Sequence, residues 1–230
     1  MRRITPAQIA AFFALLTISV VLALLIVWKA YPMLSAARDF AAILASFMFV
    51  VLLYGFSIAI YRLFLHAYPL PQGEIPPHSR GEAIYHIHLL FFLLLFYPLM
   101  KSNLVPVPLM RVIYVALGAR LGANTYSGGI LFDPIFIDIG SNTIVGQSAL
   151  LIPHVIEGER LAHFPIRIGD NVTIGANAVV LADVVIGSDA VIAIGSVVTK
   201  GTRIPAGETW GGTPARRLQR SVEIDQTQRG

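Results

Sequence analysis

A period of six residues governs the second half of the chain, from Leu121 onward. Most residues at the repeating position are aliphatic. The residues at this position, aliphatic or not, are Leu121, Ser127, Asp133, Ile139, Val145 and Leu151, followed by Ile168, Ile174, Val180, Ile186, Ile192, Val198 and Ile204. Glycine often follows this position, and asparagine or aspartate stands two residues after several of the glycines. Self-similarity at a fixed spacing is the signature of a repeat architecture.

Six residues supply one short strand and one tight corner. Three corners close a triangular coil of about eighteen residues, whose aliphatic residues stack inside the shaft. Glycine, asparagine and aspartate tolerate the conformations that tight corners need. We therefore predict a left-handed parallel β-helix over residues 121–218, with an irregular first coil because Ser127 and Asp133 break the aliphatic pattern. An antiparallel β-sandwich does not keep this spacing over seven consecutive units.

The N-terminal part of the chain contains two uncharged apolar segments, Ile9–Trp28 and Phe40–Tyr61. Each is long enough to cross a hydrocarbon core of roughly 30 Å as a helix. Only 13% of all residues are charged. The short connection Lys29–Asp39 predicts an antiparallel transmembrane hairpin within residues 1–66. A signal peptide is the competing interpretation of the first segment, but that segment exceeds the usual roughly 7–15 apolar residues and a second one follows.

The basic residues predict an orientation for this hairpin. Those outside its two spans are Arg2, Arg3, Arg62 and Arg80. Its tip carries only Lys29 and Arg38. Because basic residues favour the cytoplasmic side, we expect a multi-pass protein of the cytoplasmic (inner) membrane. Its N-terminus and β-helix would face the cytoplasm.

Residues 67–120 are predicted to be a linker followed by interfacial or re-entrant helices. Within them Ile84–Met100 is apolar but short for a span, and Pro98 is expected to end its helix. A third span and a buried packing helix are the alternatives. Leu109–Leu117 is predicted to be a short helix. His86 and His88 are two residues apart and do not share a helix face, so we interpret them as interfacial residues rather than a metal pair.

The repeats are interrupted once, by an excursion from Glu157 to Arg167 that is out of register. Long loops on rigid scaffolds usually carry function or subunit contacts. His154 immediately precedes this excursion. Residues 219–230 are predicted to be a polar tail, and the whole chain to be an α+β membrane protein.

Three segments carry a resemblance to a known family: Pro165–Val180, Val184–Lys200 and Gly211–Arg217. They resemble the hexapeptide-repeat acyltransferases, in the branch of the maltose, galactoside and nodulation O-acetyltransferases and the xenobiotic acetyltransferases. The resemblance covers roughly residues 121–218. The membrane hairpin is not shared with the soluble members of that branch.

The resemblance implies a homotrimer with active sites between subunits and acetyl-CoA along the groove between adjacent β-helices. His154 stands where the family has its catalytic histidine, ahead of Phe164-Pro165-Ile166. Asp133 matches an acidic residue in the acceptor site of the sugar acetyltransferases. His163 is the rival catalytic candidate and a second candidate for the acceptor pocket. The excursion is shorter here than in the sugar acetyltransferases, which leaves the form of that pocket open.

The family's coenzyme A end matches the segments that follow the last regular repeats. Its cations would bind the phosphates, its glycines would admit the pantetheine arm, and Trp210 would either cover adenine or plug the end of the solenoid. The predicted coenzyme A residues are Gly195, Ser196, Lys200, Trp210, Gly211, Gly212, Arg216 and Arg217. For Arg217, a solvated surface charge is an equal alternative.

The chemistry of acyl transfer fits a histidine. A hydroxyl attacks a thioester poorly unless a base takes its proton, and neutral imidazole has a suitable pKa. The chain has no cysteine, so a thiol acyl-enzyme is excluded. Direct transfer from acetyl-CoA to a hydroxyl of a membrane-associated acceptor, such as a lipid-linked sugar or glycolipid, is therefore the preferred hypothesis.

Two other functions are considered. A γ-type carbonic anhydrase shares this fold but needs three histidine ligands, whereas the repeat region has only His154 and His163. A non-catalytic trimeric membrane scaffold is the third hypothesis. No metal is expected, and nucleic acid is not an expected partner because the sequence shows no basic stripe with interleaved aromatic residues.

Overall fold

The computed structural model describes residues 2–102 and 104–218, so the predicted polar tail at 219–230 lies outside the described residues. These residues form two compact units that alternate along the chain. The first unit comprises the residues up to Pro106, together with Ala116–Gly118 and Val155–His163. The second comprises Val107–Val115, Ala119–His154 and the described residues from Phe164 onward.

The helices and strands are short except near the N-terminus. The helices are α1 (Pro6–Leu34), α2 (Ala41–Ala67), α3 (Arg80–Phe91), α4 (Tyr97–Lys101) and α5 (Val107–Leu117). The strands are β1 (Gly73–Glu74), β2 (Arg120–Leu121), β3 (Tyr126–Ser127), β4 (Ile130–Leu131), β5 (Ile137–Ile139), β6 (Ile144–Val145), β7 (Leu150–Leu151), β8 (His154–Glu157), β9 (Arg160–His163), β10 (Ile166–Ile168), β11 (Thr173–Ile174), β12 (Val179–Val180), β13 (Val185–Ile186), β14 (Val191–Ile192), β15 (Val197–Val198), β16 (Arg203–Ile204), β17 (Thr209–Gly211) and β18 (Arg216–Arg217).

Helices α1 and α2 pack against each other in the first unit and are longer than the two spans predicted from the sequence. Thr5 and Gln8 form a reciprocal cap at the start of α1, since each side chain accepts a hydrogen bond from the other residue's backbone N–H. A 3₁₀ turn, Ser35–Phe40, joins the two helices. The predicted helical hairpin is therefore present, with a shorter connection than expected.

The outer surfaces of α1 and α2 are apolar. Large side chains such as Trp28, Phe47 and Leu63 are at least two-thirds exposed. By length and composition, the stretch Pro6–Ala67 and the helical stretch Arg80–Lys101 could each cross a membrane. An exposed apolar surface of this extent is unusual for a protein in water.

The third helical stretch is longer than the sequence predicted. Helix α3 continues through a π-helical turn, Phe92–Phe96, into α4. The prediction that Pro98 ends the helix is wrong. Pro98 stands in the first turn of α4, directly after the π-helical turn, where its missing N–H and its ring are accommodated.

His86 and His88 are both buried within the first unit. The Nδ1 atom of His88 lies 2.9 Å from the hydroxyl of Tyr61 on α2, and that of His86 lies 2.9 Å from Oε1 of Gln8 on α1. Because the two histidines lie on different faces of α3, each meets a different helix. They are hydrogen-bonded packing residues rather than exposed interfacial ones.

The excursion from the repeats is a β-hairpin made by β8 and β9. Strand β1 adds to it in antiparallel pairing with β9. The predicted bounds are displaced, because β10 is already back in register with β5 at Ile166. The chain leaves the coils after Pro153 and returns at Phe164, whose N–H donates to the Pro153 carbonyl (2.9 Å).

The second unit is a parallel β-helix with three sheets, as the six-residue period predicted. The sheet orders are β2-β5-β10-β13-β16, β3-β6-β11-β14-β17-β18 and β4-β7-β12-β15, parallel throughout except for β17 with β18. Equivalent residues stack across the coils. The column of the first sheet is Leu121, Ile139, Ile168, Ile186 and Ile204. All except the terminal Leu121 are buried.

The corners have the conformations that the sequence pattern requires. Positive φ recurs every six residues along the second half of the solenoid. These residues are Asn171, Asn177, Asp183, Asp189, Gly195, Gly201 and Gly207. Asparagine and aspartate tolerate this left-handed region better than other side chains.

One repeat position was assigned wrongly. In the first coil Leu131, not Asp133, pairs with Leu151 in the third sheet. The pair Gly128-Gly129 shortens the preceding corner, and Asp133 then starts a 3₁₀ turn, Pro134–Phe136, with φ of 41°. The coil keeps its length, because the shortened corner is compensated by this longer one.

Helix α5 packs on the first coil. The buried hydroxyl of Tyr114 donates to the Gly129 carbonyl (2.9 Å), and the guanidinium of Arg111 donates to the Gly122 carbonyl (2.8 Å). Burial raises the pKa of Tyr114 to about 12. The helix, predicted from the sequence as Leu109–Leu117, thus covers the N-terminal end of the solenoid.

Close backbone approach between coils predicts which glycines resist substitution. A Cβ at Gly187 would lie 2.5 Å from the backbone nitrogen of Ala206, whereas one at Gly128 would meet nothing nearer than 3.3 Å. We expect Gly187→Ala to lower the free energy of unfolding by roughly 1–3 kcal/mol through overpacking, and Gly128→Ala to cost less. Thermal unfolding followed by circular dichroism measures both. Equal melting temperatures for the two variants would contradict the inferred coil spacing.

Candidate functional site

His154 and Asp133 come together at the edge of the second unit. The Nδ1 atom of His154 lies 2.6 Å from Oδ2 of Asp133. Asp133 stands at the left-handed corner of the first coil, and His154 is the first residue of β8. The ring of Phe132 lies edge-on to the imidazole, with centroids 5.7 Å apart. Residues from two successive coils therefore build one histidine–carboxylate pair.

Burial and charge act on the pair in opposite directions. The Asp133 side chain is 5% exposed and that of His154 24% exposed. Burial alone lowers the pKa of His154, but the hydrogen bond and negative charge of Asp133 outweigh it, so the pKa is raised above its ordinary value. The carboxylate thus stabilises the protonated imidazole.

The contact also selects a tautomer. A carboxylate on Nδ1 holds the proton there and leaves Nε2 of the neutral ring as an acceptor. The side chain of His154 remains partly exposed. A histidine oriented in this way by a carboxylate can act as a general base.

Both residues were predicted as site residues from the sequence, but their contact with each other was not. Asp133 was assigned to the acceptor site, whereas the structure places its carboxylate on the imidazole of His154. The available signal was an aspartate that interrupts the six-residue spacing in the coil before the histidine. Its predicted contact with an acceptor stays a prediction.

His163 belongs to the first unit, at the end of β9. Its side chain is fully buried. Its ring packs 5.4 Å from that of Tyr85 and 6.4 Å from that of His88, between centroids. This aromatic packing accounts for its burial, and its role in catalysis or acceptor binding stays a prediction.

The two segments predicted for coenzyme A meet at the last coil. Val197 joins them, because its N–H donates to the Gly212 carbonyl (3.0 Å) and its carbonyl accepts from Ala215 (2.8 Å). Gly195 and Gly212 both have positive φ. The hydroxyl of Ser196 is turned inward and donates to the Ala193 carbonyl (2.7 Å). Gly211, in the second of these segments, is buried.

The cations of this region differ in their partners. Lys200, Arg216 and Arg217 are exposed. Arg217 forms an ion pair with Glu208 (3.2 Å), which also accepts a hydrogen bond from the indole N–H of Trp210 (2.8 Å). Trp210 pairs with Ile192 and so continues a column of the shaft. This position favours the end plug over an adenine cover.

Across residues 2–102 and 104–218, no three histidine, aspartate or glutamate side chains are grouped as metal ligands would be. The candidate site consists of the His154–Asp133 pair and the exposed cations at the end of the solenoid.

The raised pKa of His154 gives a direct test of the pair. In Asp133→Asn the hydrogen bond is weaker and the charge is lost, so burial dominates and the pKa of His154 falls. Carbethoxylation by diethyl pyrocarbonate, which needs the neutral ring, should then begin at lower pH. Mass spectrometry of the His154 peptide across a pH series measures the midpoint. Asp138→Asn, which removes an exposed partner of Arg120, is the matched control and should leave it unchanged.

The comparisons with known proteins concern the solenoid. The family model of the bacterial transferase hexapeptide (six repeats) matches residues 165–200. No curated protein matches the chain at a significant level.

Several solved structures are similar. A hexapeptide-repeat-containing acetyltransferase from Vibrio cholerae is 31% identical, over 44% of this chain and 62% of that one, with a TM-score of 0.41. A structure of that acetyltransferase complexed with acetyl-coenzyme A, from Vibrio cholerae O1 biovar eltor, is 31% identical over 44% and 60%, with a TM-score of 0.41. A maltose O-acetyltransferase from Clostridium difficile 630 is 27% identical over 47% and 62%, again with a TM-score of 0.41.

The chain thus covers less than two-thirds of the length of each of these structures. The family model match falls inside the second unit and includes the β10–β15 strands. It confirms the resemblance that the sequence predicted for the repeats. Residues 165–200 of the β-helix therefore match the bacterial transferase hexapeptide family model.

Proposed function

We propose that this protein is a membrane-tethered acyltransferase that moves an acetyl group from acetyl-CoA to a hydroxyl of a membrane-associated acceptor, such as a lipid-linked sugar or glycolipid. The observation that carries the proposal is the 2.6 Å contact between His154 and Asp133 on a hexapeptide-repeat β-helix. A general base held in one tautomer is what acyl transfer to a hydroxyl needs.

The proposed reaction is a direct transfer. The acceptor hydroxyl gives its proton to Nε2 of His154 as its oxygen bonds to the thioester carbon. Asp133 stabilises the resulting imidazolium, which matches the raised pKa of His154. The tetrahedral intermediate then expels the coenzyme A sulfur, which takes the proton back from His154. The chain has no cysteine, so no thiol of the protein enters this sequence.

The end of the solenoid suits a coenzyme A co-substrate. The phosphates of coenzyme A need cations, and Lys200 and Arg216 are exposed there. Gly195 and Gly212 lie in the two segments that the backbone of Val197 joins, and their lack of side chains leaves room for the pantetheine arm. We infer that this region binds coenzyme A. Arg217 would have to leave Glu208 to contribute.

Two features support a membrane location. The apolar stretches Pro6–Ala67 and Arg80–Lys101 are long enough to span a bilayer, and the first of them is mostly unburied. A lipid environment explains why so many large apolar side chains of α1 and α2 face outward. An acceptor held at the bilayer would then be presented to a tethered enzyme.

Contacts within the first unit support an orientation. The guanidinium of Arg2, near the start of α1, donates twice to the carbonyl of Glu159 in the β8–β9 hairpin (3.0 and 2.8 Å). The N-terminus and this hairpin therefore lie at one end of the helices. We propose that this end faces the cytoplasm, where acetyl-CoA is made, and that α3 and α4 form a re-entrant helix. A homotrimer with sites between subunits completes the proposal.

Removal of the base tests the catalytic assignment. We expect His154→Ala to lower the rate of acetyl transfer by about 10²–10⁴-fold, as loss of general-base catalysis does. The measurement is incorporation of label from radiolabelled acetyl-CoA into lipid and glycan fractions of membranes that contain the purified protein. His66→Ala changes an exposed histidine of α2 and is the control. Transfer by the His154 variant at the wild-type rate would defeat the assignment, whereas the absence of transfer by the wild type itself would favour the scaffold.

The absence of cysteine allows a clean test of orientation. Single-cysteine variants Ser35→Cys, at the tip of the helical hairpin, and Arg167→Cys, on β10, place thiols at two exposed positions. A membrane-impermeant maleimide should label Ser35→Cys in spheroplasts and Arg167→Cys only after permeabilisation. Labelling of both positions, or of Arg167→Cys alone, before permeabilisation would overturn the proposed topology.

A further inference from the structure

A cavity of about 540 Å³, which we call the head cavity, opens in the first unit where α1 and α3 begin. Both helix starts line it, through Thr5 and Ser79, and so do charged side chains of the N-terminus, α3 and the β8–β9 hairpin. Cavities of this size hold small-molecule ligands and lipid head groups. No residue predicted from the sequence as a site residue lies in it.

A largely buried ion pair between Arg2 and Glu82 lines the head cavity. The Arg2 guanidinium lies 3.3 Å from Oε1 of Glu82, and the two side chains are only 14% and 9% exposed. The other oxygen of Glu82 accepts from the backbone N–H of His78 (2.5 Å). Arg2 also donates to the Glu159 carbonyl. A desolvated pair held by these bonds fixes the shape of the cavity before any ligand binds.

Among the residues that the structure describes, the rim of the head cavity carries one exposed arginine and one exposed glutamate. Arg3 and the carboxylate of Glu159 both line it and are exposed. The starts of α1 and α3 add partial positive charge, which favours a phosphate group. Because Glu82 is already neutralised by Arg2, the rim suits a phosphate beside a cationic amine, as in a zwitterionic phosphodiester.

An apolar groove of about 270 Å³ adjoins the head cavity. Phe64, Tyr68, Ile84 and Ile87 line this tail groove, and Ala83 lines both spaces. Arg80 lies 5.0 Å above the ring of Tyr68 at the same groove. A chamber lined by charged side chains and an apolar groove that meet at Ala83 match a head group joined to an alkyl chain.

We infer that this pair of spaces binds one amphiphile: a lipid with a zwitterionic phosphodiester head, such as phosphoethanolamine, and an acyl chain. The head lies among Arg3, Glu159 and the helix starts, and the chain lies along the groove beyond Ala83. This site is in the helical unit and is distinct from the His154–Asp133 pair. It does not depend on acyl transfer.

The test measures lipid binding by full-length protein, without acetyl-CoA, so that its result is independent of the proposed reaction. Native mass spectrometry from detergent micelles can titrate four probes: dihexanoyl phosphatidylethanolamine, glycerophosphoethanolamine, octyl glucoside and inorganic phosphate. We expect the short-chain phospholipid to bind about tenfold more tightly than the probes that lack its chains or its phosphate.

Two variants separate the head from the tail. Arg3→Glu should weaken the phospholipid about tenfold and leave octyl glucoside unchanged, with recovery in Arg3→Lys. Ala83→Trp should place bulk where the two spaces meet and so weaken the binding of both the phospholipid and octyl glucoside. The matched controls are Lys29→Glu, which makes the same charge change at the other end of α1, and Ala14→Trp, which adds the same bulk on an exposed face of α1. Both should bind the phospholipid as the wild type does.

Three results would overturn the inference. Equal loss in Arg3→Glu and Lys29→Glu would mean that only net charge matters. Equal affinity for the phospholipid and octyl glucoside would show that the phosphate does not contribute to binding. Equal affinity for inorganic phosphate and the phospholipid would show that the chain does not contribute. Unchanged circular dichroism melting of each variant ensures that a loss of binding is not a loss of fold.

Discussion

Stacking of one coil directly on the next is the constraint on which the β-helix depends. The backbone hydrogen bonds of its parallel strands run between coils. The N–H groups of Gly140, Gly169 and Gly187 donate to carbonyls of the following coil, each at 2.8 Å. A coil therefore has few partners of its own and is stable only against its neighbours. Any interruption must return the chain in the register it left.

The β8–β9 hairpin meets this requirement. Its strands satisfy each other, and its neck is closed by the bond between Phe164 and Pro153. The coils on either side then stack as if it were absent, since β5 pairs directly with β10. His154 stands at this neck and Asp133 at a corner of the coil before it. The solenoid thus fixes both partners of the acid–base pair, which loops alone would leave mobile.

The six-residue period predicted most of this architecture because stacking imposes one residue type at each equivalent position. Ile139 and Ile168 are partners across the hairpin, and both were assigned from spacing alone. The period failed at Asp133, where two glycines shorten one corner and a 3₁₀ turn lengthens the next. A spacing rule counts residues and does not see such compensation within a coil.

The acid–base pair was only half predictable for a related reason. Asp133 and His154 are 21 positions apart, and their contact exists only once the coils are stacked with that displaced corner in place. The resemblance supplied the histidine. Similarly, the π-helical turn before Pro98 allows a helix that sequence rules would end, because it depends on packing rather than on propensity.

The first unit has an apolar surface as well as an apolar core. Many large side chains of α1 and α2 face outward, while Ser19, Ser57 and the pair Tyr61–His88 are buried with aromatic residues such as Phe91. In water this arrangement exposes a large apolar surface, which is unfavourable. In lipid the apolar surface contacts the acyl chains and the polar groups stay enclosed.

Its charged contacts gather at one end, where Arg2 bonds to the β8–β9 hairpin and Arg160 of that hairpin pairs with Glu74 (2.7 Å). The hairpin is thereby held by the polar end of a unit whose remaining surface suits lipid. One peptide bond joins Val155, the first residue of that held segment, to His154. The proposed function would therefore place the segment next to His154 in the unit that enters the membrane.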